Sequence, residues 1–267
     1  MTNKGKYYES QFEEATIALL REAHWQYTFG DDIHRKYTDP LIEEDLRNFL
    51  ATQYKNKKLT VAEIDGIVAN LRNTGGQNDY YALRNAFLLY HDGYDFTYSD
   101  GRNNPFRLEY IDFEHPDHNI FRCVNQFVME QGRENRRPDI LLFINGIPVC
   151  IIELKNPTKQ NATIRDAHTQ ICIRYTRDIP TLLKYCALAV ISDGAKNALG
   201  TTYTPFEFFY EWKKIENEDK AGKGLDTLRT LIRGALSPER ILEILRDYVY
   251  FPDPVKEDDT TEIVCRY

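Results

Sequence analysis

The chain has 267 residues, 42% of them hydrophobic and 13% aromatic, and carries a net charge of −7. That composition excludes the low-hydrophobicity disordered class, and the length suits one large or two small globular domains. The acidic balance argues against a dedicated basic nucleic-acid binder, although catalytic carboxylates and the acidic run Lys256 to Asp259 can mask a local basic groove.

The opening MTNKGKYYES has no apolar core that would serve as a signal peptide. The greasiest stretch, Ile140 to Leu154, is interrupted by Asn145-Gly146 and Pro148, so no membrane span is expected. The five cysteines (Cys123, Cys150, Cys172, Cys186, Cys265) form no CxxC pair, and several sit in apolar runs. That pattern points to reduced thiols, a cytoplasmic location and no structural zinc.

In chain order, residues 1–100 read as a mainly helical segment packing on a core. Tyr7 to His24 places Phe12, Ile17, Leu19 and Leu20 on one face. Asp39-Pro40 reads as a cap with proline in the first helical position, opening a second helix through Leu41, Ile42, Leu46, Phe49 and Leu50. Thr60-Val-Ala-Glu63 matches a capping box for a third helix that runs to about Asn73, broken by Gly75-Gly76. A fourth helix is expected over Tyr80 to Tyr90.

Residues 101–215 change to short β-type runs: Arg107 to Phe113, Phe121 to Glu130, Asp139 to Ile144 and Val149 to Leu154. Ala162 to Tyr175 is a helix candidate, and Tyr185 to Ser192 suits a buried strand. An aromatic segment, Phe206 to Trp212, suits core packing better than stacking on unpaired bases. Residues 216–267 open on a polar loop, Glu216 to Gly224, and then give helices from Leu225 and from Ser237-Pro238-Glu239. The expected class is α/β, with a mixed central sheet flanked by helices and a short helical C-terminal extension.

Chemistry concentrates in Arg137-Pro138-Asp139, the apolar hairpin after it, and Glu153-Leu154-Lys155. Side chains alternate along a strand, so Glu153 and Lys155 share a face while Leu154 points away. A plain two-residue turn at Asn145-Gly146 pairs Asp139 with Ile152 and leaves the two carboxylates on opposite faces. Convergence therefore requires an odd loop or a single bulge, and one of these is predicted. Two carboxylates can hold a hard divalent cation, Mg²⁺ with Mn²⁺ as the alternative, while leaving positions open for water and phosphate oxygens. Asp139 and Glu153 are the candidate metal ligands, with the Leu154 carbonyl as an additional one. Lys155 is the candidate catalytic lysine, placed to orient the water and stabilise developing negative charge. Arg133, Arg136, Arg137, Lys159 and Arg165 crowd around the motif and could contact phosphates. The loop Asp112 to His118 gathers four potential ligands, but its spacing fits no standard metal pattern and a polar turn is the plainer reading.

The order of phrases around this motif resembles the N-terminal nuclease region of the R subunit of type I restriction-modification enzymes, a PD-(D/E)xK nuclease. The phrases are Ile111-Asp112-Phe113, Asn125-Gln126-Phe127, Arg136-Arg137-Pro138-Asp139, Asn145-Gly-Ile-Pro148 and Ile152-Glu-Leu-Lys-Asn-Pro157. They continue through Ala162-Thr163, Asp166-Ala167, Arg177-Asp-Ile-Pro180, Val190-Ile-Ser-Asp-Gly194 and Phe209-Tyr210-Glu211-Trp212.

The resemblance implies a restriction-endonuclease-like core that cuts double-stranded DNA after ATP-driven translocation. It also implies modification and specificity subunits as partners, and a downstream motor that supplies the ATP dependence and is absent from this sequence. No GxxxxGK[ST] loop occurs in it. The family often places a Gln and a Tyr four residues apart on the helix after the lysine. Here Gln170 and Tyr175 are five apart, with Arg174 in the expected place, so either the helix is distorted or one of them has another role. Enzymes of the superfamily also use a Glu from an early helix, for which Glu13 is the candidate against the reading of an ordinary exposed glutamate. Two alternatives remain open at this point: a non-catalytic DNA-clamping or subunit-docking module, and a stand-alone structure-specific nuclease.

Overall fold

A computed structural model describes residues 3–155, 163–215, 222, 224–252 and 263–265. The chain begins with α1 (Asn3–Glu22), which buries Phe12, Thr16, Ile17, Leu19 and Leu20. The helix is closed by His24 in the left-handed region (φ 71°), which lets the Trp25 amide return to the Leu20 carbonyl at 3.0 Å. That tight stop sends the chain straight into β1 (Gln26–Phe29), a strand the helical reading of this region did not anticipate.

The second helix differs from the sequence expectation. α2 spans Glu43–Gln53 with Ile42 at its cap position, so Pro40 lies outside it. The Ile42 amide donates to the Gly146 carbonyl at 2.9 Å, and Leu41 and Ile42 are buried. Docking of this segment on the β-hairpin thus outcompetes the earlier cap, and Glu43, Glu44 and Asp45 supply the negative charge that favours a helix start.

α3 (Val61–Asn73) carries the complete capping box: the Glu63 amide donates to Thr60 Oγ1 at 3.2 Å and the Thr60 amide to Glu63 Oε2 at 2.8 Å. α4 (Asp79–Asp92) starts at Asn78, whose side chain accepts from the Tyr81 amide, and stops at Gly93 with φ 68°. β2 (Tyr94–Phe96) and β3 (Phe106–Leu108) form a small antiparallel pair.

The central sheet is built from β1, β4 (Phe121–Asn125), β7 (Ile140–Ile144), β8 (Ile147–Leu154), β9 (Leu188–Ser192) and β10 (Asn197–Gly200), in the order β1-β4-β7-β8-β9-β10. β1–β4 and β8–β9 are parallel and the other pairs antiparallel, so the sheet is mixed. A short hairpin, β5 (Met129–Gln131) and β6 (Glu134–Arg136), projects between β4 and β7. After β8 come α5 (Ile164–Thr169), a π-helical turn over Gln170–Tyr175, α6 (Thr176–Asp178) and α7 (Pro180–Leu183). α8 (Leu225–Ala235) and α9 (Pro238–Asp247, with Pro238 in its first turn) follow the sheet, and β11 (Val249–Tyr250) pairs with β12 (Ile263–Val264).

Both faces of the sheet are covered, which is why β7, β8 and β9 are apolar throughout. Ile140, Leu142 and Ile144 join the core shared with α1 to α4, α8 and α9, whereas Leu141 and Phe143 join the core under α5, the π turn and α7. β8 breaks this alternation once. Val149 and Cys150 both belong to the first core, while Ile151 returns to the second. The register skips accordingly, from Leu142 opposite Cys150 to Phe143 opposite Pro148. This is the single bulge predicted from the spacing. Among the described residues no helix is long and apolar enough to cross a membrane.

Candidate active site

The bulge decides the site's geometry. Ile140 lies opposite Ile152, so Asp139, one step further, lies opposite Glu153 and shares its face, the one covered by α5 and the π turn. Asp139 Oδ2 accepts the Leu154 amide at 2.7 Å. The amide and carbonyl of one strand residue project to the same side, and the Lys155 amide goes the other way to the Ser192 carbonyl at 2.7 Å. The Leu154 carbonyl is therefore turned toward the Asp139 side, as an additional ligand would have to be.

Glu153 is 1% exposed. Its Oε1 accepts from Lys155 Nζ at 2.8 Å, while its Oε2 is buried with no hydrogen-bond partner. Burial, and then the neighbouring Glu153 charge, push the Asp139 carboxyl well above the usual carboxylate range. Burial likewise raises Glu153, and the Lys155 ammonium, with the Tyr175 hydroxyl and the Asp139 carboxyl close beside it, pulls it back only in part. Two desolvated carboxylates facing one another, with one oxygen orphaned, form an anionic pocket that a cation would complete.

Lys155 is held from a second direction. Its Nζ donates to Gln170 Oε1 at 2.6 Å, and Gln170 Nε2 donates to the Tyr175 hydroxyl at 2.6 Å. The five-residue spacing is accommodated by the π turn, in which residues i and i+5 lie one above the other. The helix is thus distorted and both residues are in the network. Tyr175 is 3% exposed, not a surface tyrosine, and burial beside Glu153 pushes its hydroxyl pKa up. Arg174, four residues after Gln170, is exposed and stays outside the network.

Glu13 is half-buried and does not behave as a free helical glutamate. Its carboxylate accepts from Asn125 Nδ2 at 2.6 Å and from Gln126 Nε2 at 2.9 Å, and its charge contributes to the raised Asp139 pKa. Sequence reasoning did not assign Asn125 and Gln126 to the site. The signal that places them is conformational: Gln126 takes φ 55°, a left-handed value uncommon for a non-glycine residue.

Of the arginines expected near DNA, Arg136 is otherwise engaged. Its Nε donates to Asp178 Oδ2 at 2.7 Å, and its guanidinium also pairs with Glu134. Arg137 is exposed, and Arg165 stacks over the Phe206 ring at 4.2 Å. Lys159 lies outside the described residues. The aromatic segment packs only in part: Tyr210 and Trp212 lean on the core, but Phe208 is 64% exposed.

Asp112, His115 and His118 do converge. The Asp112 carboxylate, however, is already filled by the Glu114 and His115 amides, Gln53 and the two imidazoles, which is the pattern of a side chain closing a polar turn.

The architecture is that of a mixed α/β domain with an endonuclease-like core. Residues 6–208 match the family described as the type I restriction enzyme R protein N terminus, and the chain belongs to that family. It is 28% identical over 255 residues to the type I restriction enzyme HindI endonuclease subunit of Haemophilus influenzae, a match that covers 91% of this chain and 24% of that protein. It is 29% identical over 270 residues to a putative type I restriction enzyme endonuclease subunit, MjaIXP, of Methanocaldococcus jannaschii, covering 89% of this chain and 25% of that one. An Escherichia coli relative, the EcoprrI endonuclease subunit, is 33% identical over 138 residues, 48% of this chain and 42% of that one. The chain thus spans about a quarter of the length of the first two relatives.

Proposed function

We propose that this chain is the DNA-cutting part of a type I restriction enzyme's R subunit, a PD-(D/E)xK endonuclease that hydrolyses phosphodiester bonds with Mg²⁺, or Mn²⁺ in its place. The observation that carries the proposal is the orphaned Glu153 Oε2 facing a buried, charge-raised Asp139. Asp139, Glu153 and the Leu154 carbonyl would hold the cation, with Glu13 bordering the site. When bound, the ion supplies Lewis-acid polarisation of the phosphate and a water made more acidic.

The chain's own groups do the rest. Lys155, fixed between Glu153 and Gln170, presents its ammonium where the attacking water and the phosphate oxygens meet. Tyr175 holds the Gln170 amide so that the lysine keeps that position. The relatives' names, endonuclease subunits of type I restriction enzymes, support a multisubunit restriction complex acting on DNA, which in this reading works in the cytoplasm. In that reading, modification and specificity subunits provide recognition, and ATP acts through a motor encoded beyond this sequence.

Titration calorimetry with Mn²⁺ on the wild type and on Asp139→Ala, alongside nicking of supercoiled plasmid, tests the proposal. One metal site that the substitution abolishes, together with metal-dependent nicking, is expected. Binding of DNA without any metal site sensitive to Asp139 would instead establish the clamping module.

A further inference from the structure

The β5–β6 hairpin leads the chain into Asp139, and its exposure alternates residue by residue. Arg133, Asn135 and Arg137 are exposed, Glu134 and Arg136 are half-buried, Pro138 is buried, and Asp139 after it is largely covered. Side chains two apart on an extended strand share a face. β6 spans only Glu134–Arg136, so Asn135 faces outward between its two inward neighbours, and the exposed Arg133 in the turn before it and Arg137 directly after it complete an outward row on the way to Asp139. The inward residues serve as anchors, Arg136 through Asp178 and Glu134.

The hairpin is rigidly seated. The Glu130 amide donates to the Tyr37 carbonyl at 2.8 Å, and the Thr181 amide donates to Gln131 Oε1 at 3.0 Å. Arg35 stacks 3.4 Å from the Phe127 ring centre and binds the Val128 carbonyl. Gly132, at φ 61°, makes the tight turn that presents Arg133 at the tip. Among the described residues neither Arg133 nor Arg137 has an ion-pair partner, so both guanidiniums are free for an outside anion.

Resting on the nuclease reading above, we infer that Arg133 and Arg137 bind phosphates of one strand of duplex DNA and lay that strand's backbone along the hairpin into the Asp139–Glu153 site. From Arg133 to Arg137 the chain reaches about 13 Å at most, a length equal to about four base-pair steps measured along the duplex axis. The row therefore fixes the direction in which the strand enters the site. It carries no base readout, because the contacts are to phosphate alone. In a chain of net charge −7, this row is a local basic track leading to an anionic pocket.

The test is fluorescence anisotropy of a labelled duplex of arbitrary sequence against the full chain in EDTA, across a salt series. For Arg133→Ala/Arg137→Ala the log–log salt slope is expected to fall by about 1.8, so the affinity gained between 200 and 50 mM salt shrinks about 12-fold. Arg133→Lys/Arg137→Lys, which keeps the charge, should keep the slope. An unchanged slope in the alanine variant overturns the inference, as does an equal drop in the control Arg107→Gln/Arg229→Gln, which removes two charges elsewhere. A change confined to single-stranded DNA also overturns it. Calorimetric Mn²⁺ binding should be unaltered in both hairpin variants. A wild type with no metal site defeats the nuclease reading without touching the salt-slope result, so the two failures are distinguishable.

Discussion

Replacing Asp139 by Asn should reverse sign with metal. Asparagine keeps an oxygen to accept the Leu154 amide and removes one of two facing carboxylates. Cross-strand groups about 5 Å apart interact at an effective dielectric of about 20 with roughly 3 kcal/mol. Lys155 cancels part of this, leaving a relief of about 1 to 2 kcal/mol in the metal-free protein.

The pH window follows from the direction of the shifts. Both carboxyls are raised in the folded state, so the fold binds their protons more tightly than the unfolded chain does. The wild type is penalised as pH rises through the ordinary carboxylate range and beyond, and the penalty disappears on acidification. In EDTA at pH 8, Asp139→Asn should therefore be the more stable protein, by roughly 3 to 6 °C in melting temperature, with the gap closing near pH 4. With divalent metal at about 100 times its dissociation constant, the wild type gains about 2.7 kcal/mol and the variant nothing, so the order inverts. Chemical denaturation and thermal melts with and without Mn²⁺ measure both halves. A variant less stable than wild type in EDTA at pH 8, or a wild type unmoved by metal, refutes the reasoning.

Deleting Ile173, which is 57% exposed, should convert the π turn to a regular α-helix and bring Gln170 and the tyrosine to four residues apart, still on one face. Folding and plasmid nicking should survive within several-fold, whereas Gln170→Ala should slow nicking about 5- to 10-fold through loss of one Lys155 hydrogen bond. A deletion as damaging as the alanine variant argues against this account of the insertion. Gly146→Ala places a Cβ against the Ile42 carbonyl at a residue with φ 78°, so denaturant unfolding should show a loss of more than about 2 kcal/mol. A neutral result there would mean that the α2 lead-in does not hold the hairpin.

Much of the fold was legible because its signals are local. The Thr60–Glu63 box, the Asn145-Gly146 turn and the apolar runs of β7, β8 and β9 each state their own conformation. The requirement for a bulge could be deduced as well, since parity along a strand is arithmetic and only one residue of slack brings Asp139 to Glu153. What stayed hidden depends on distant partners. Asp39-Pro40 carries a helix-start pattern, yet the chain at Ile42 is claimed by the Gly146 carbonyl more than 100 residues away. The same holds at the candidate site. Asn125 and Gln126 matter because α1 delivers Glu13 to them, and Arg136 leaves the set of DNA-facing arginines because Asp178 lies beneath it. Neither fact has a trace in local sequence.

The extra residue in β8 makes the stretch from Ile140 to Glu153 sensitive to how many residues it has more than to which ones they are. Its aliphatic side chains could be exchanged among themselves at modest cost, since both cores accept apolar groups of similar volume. Gaining a single position without a second bulge would turn Glu153 and Lys155 toward the opposite layer, whereas losing the extra one would straighten β8 and leave Asp139 opposite Glu153. Drift in this hairpin is therefore free in spelling and constrained in length by the parity between the two carboxylates.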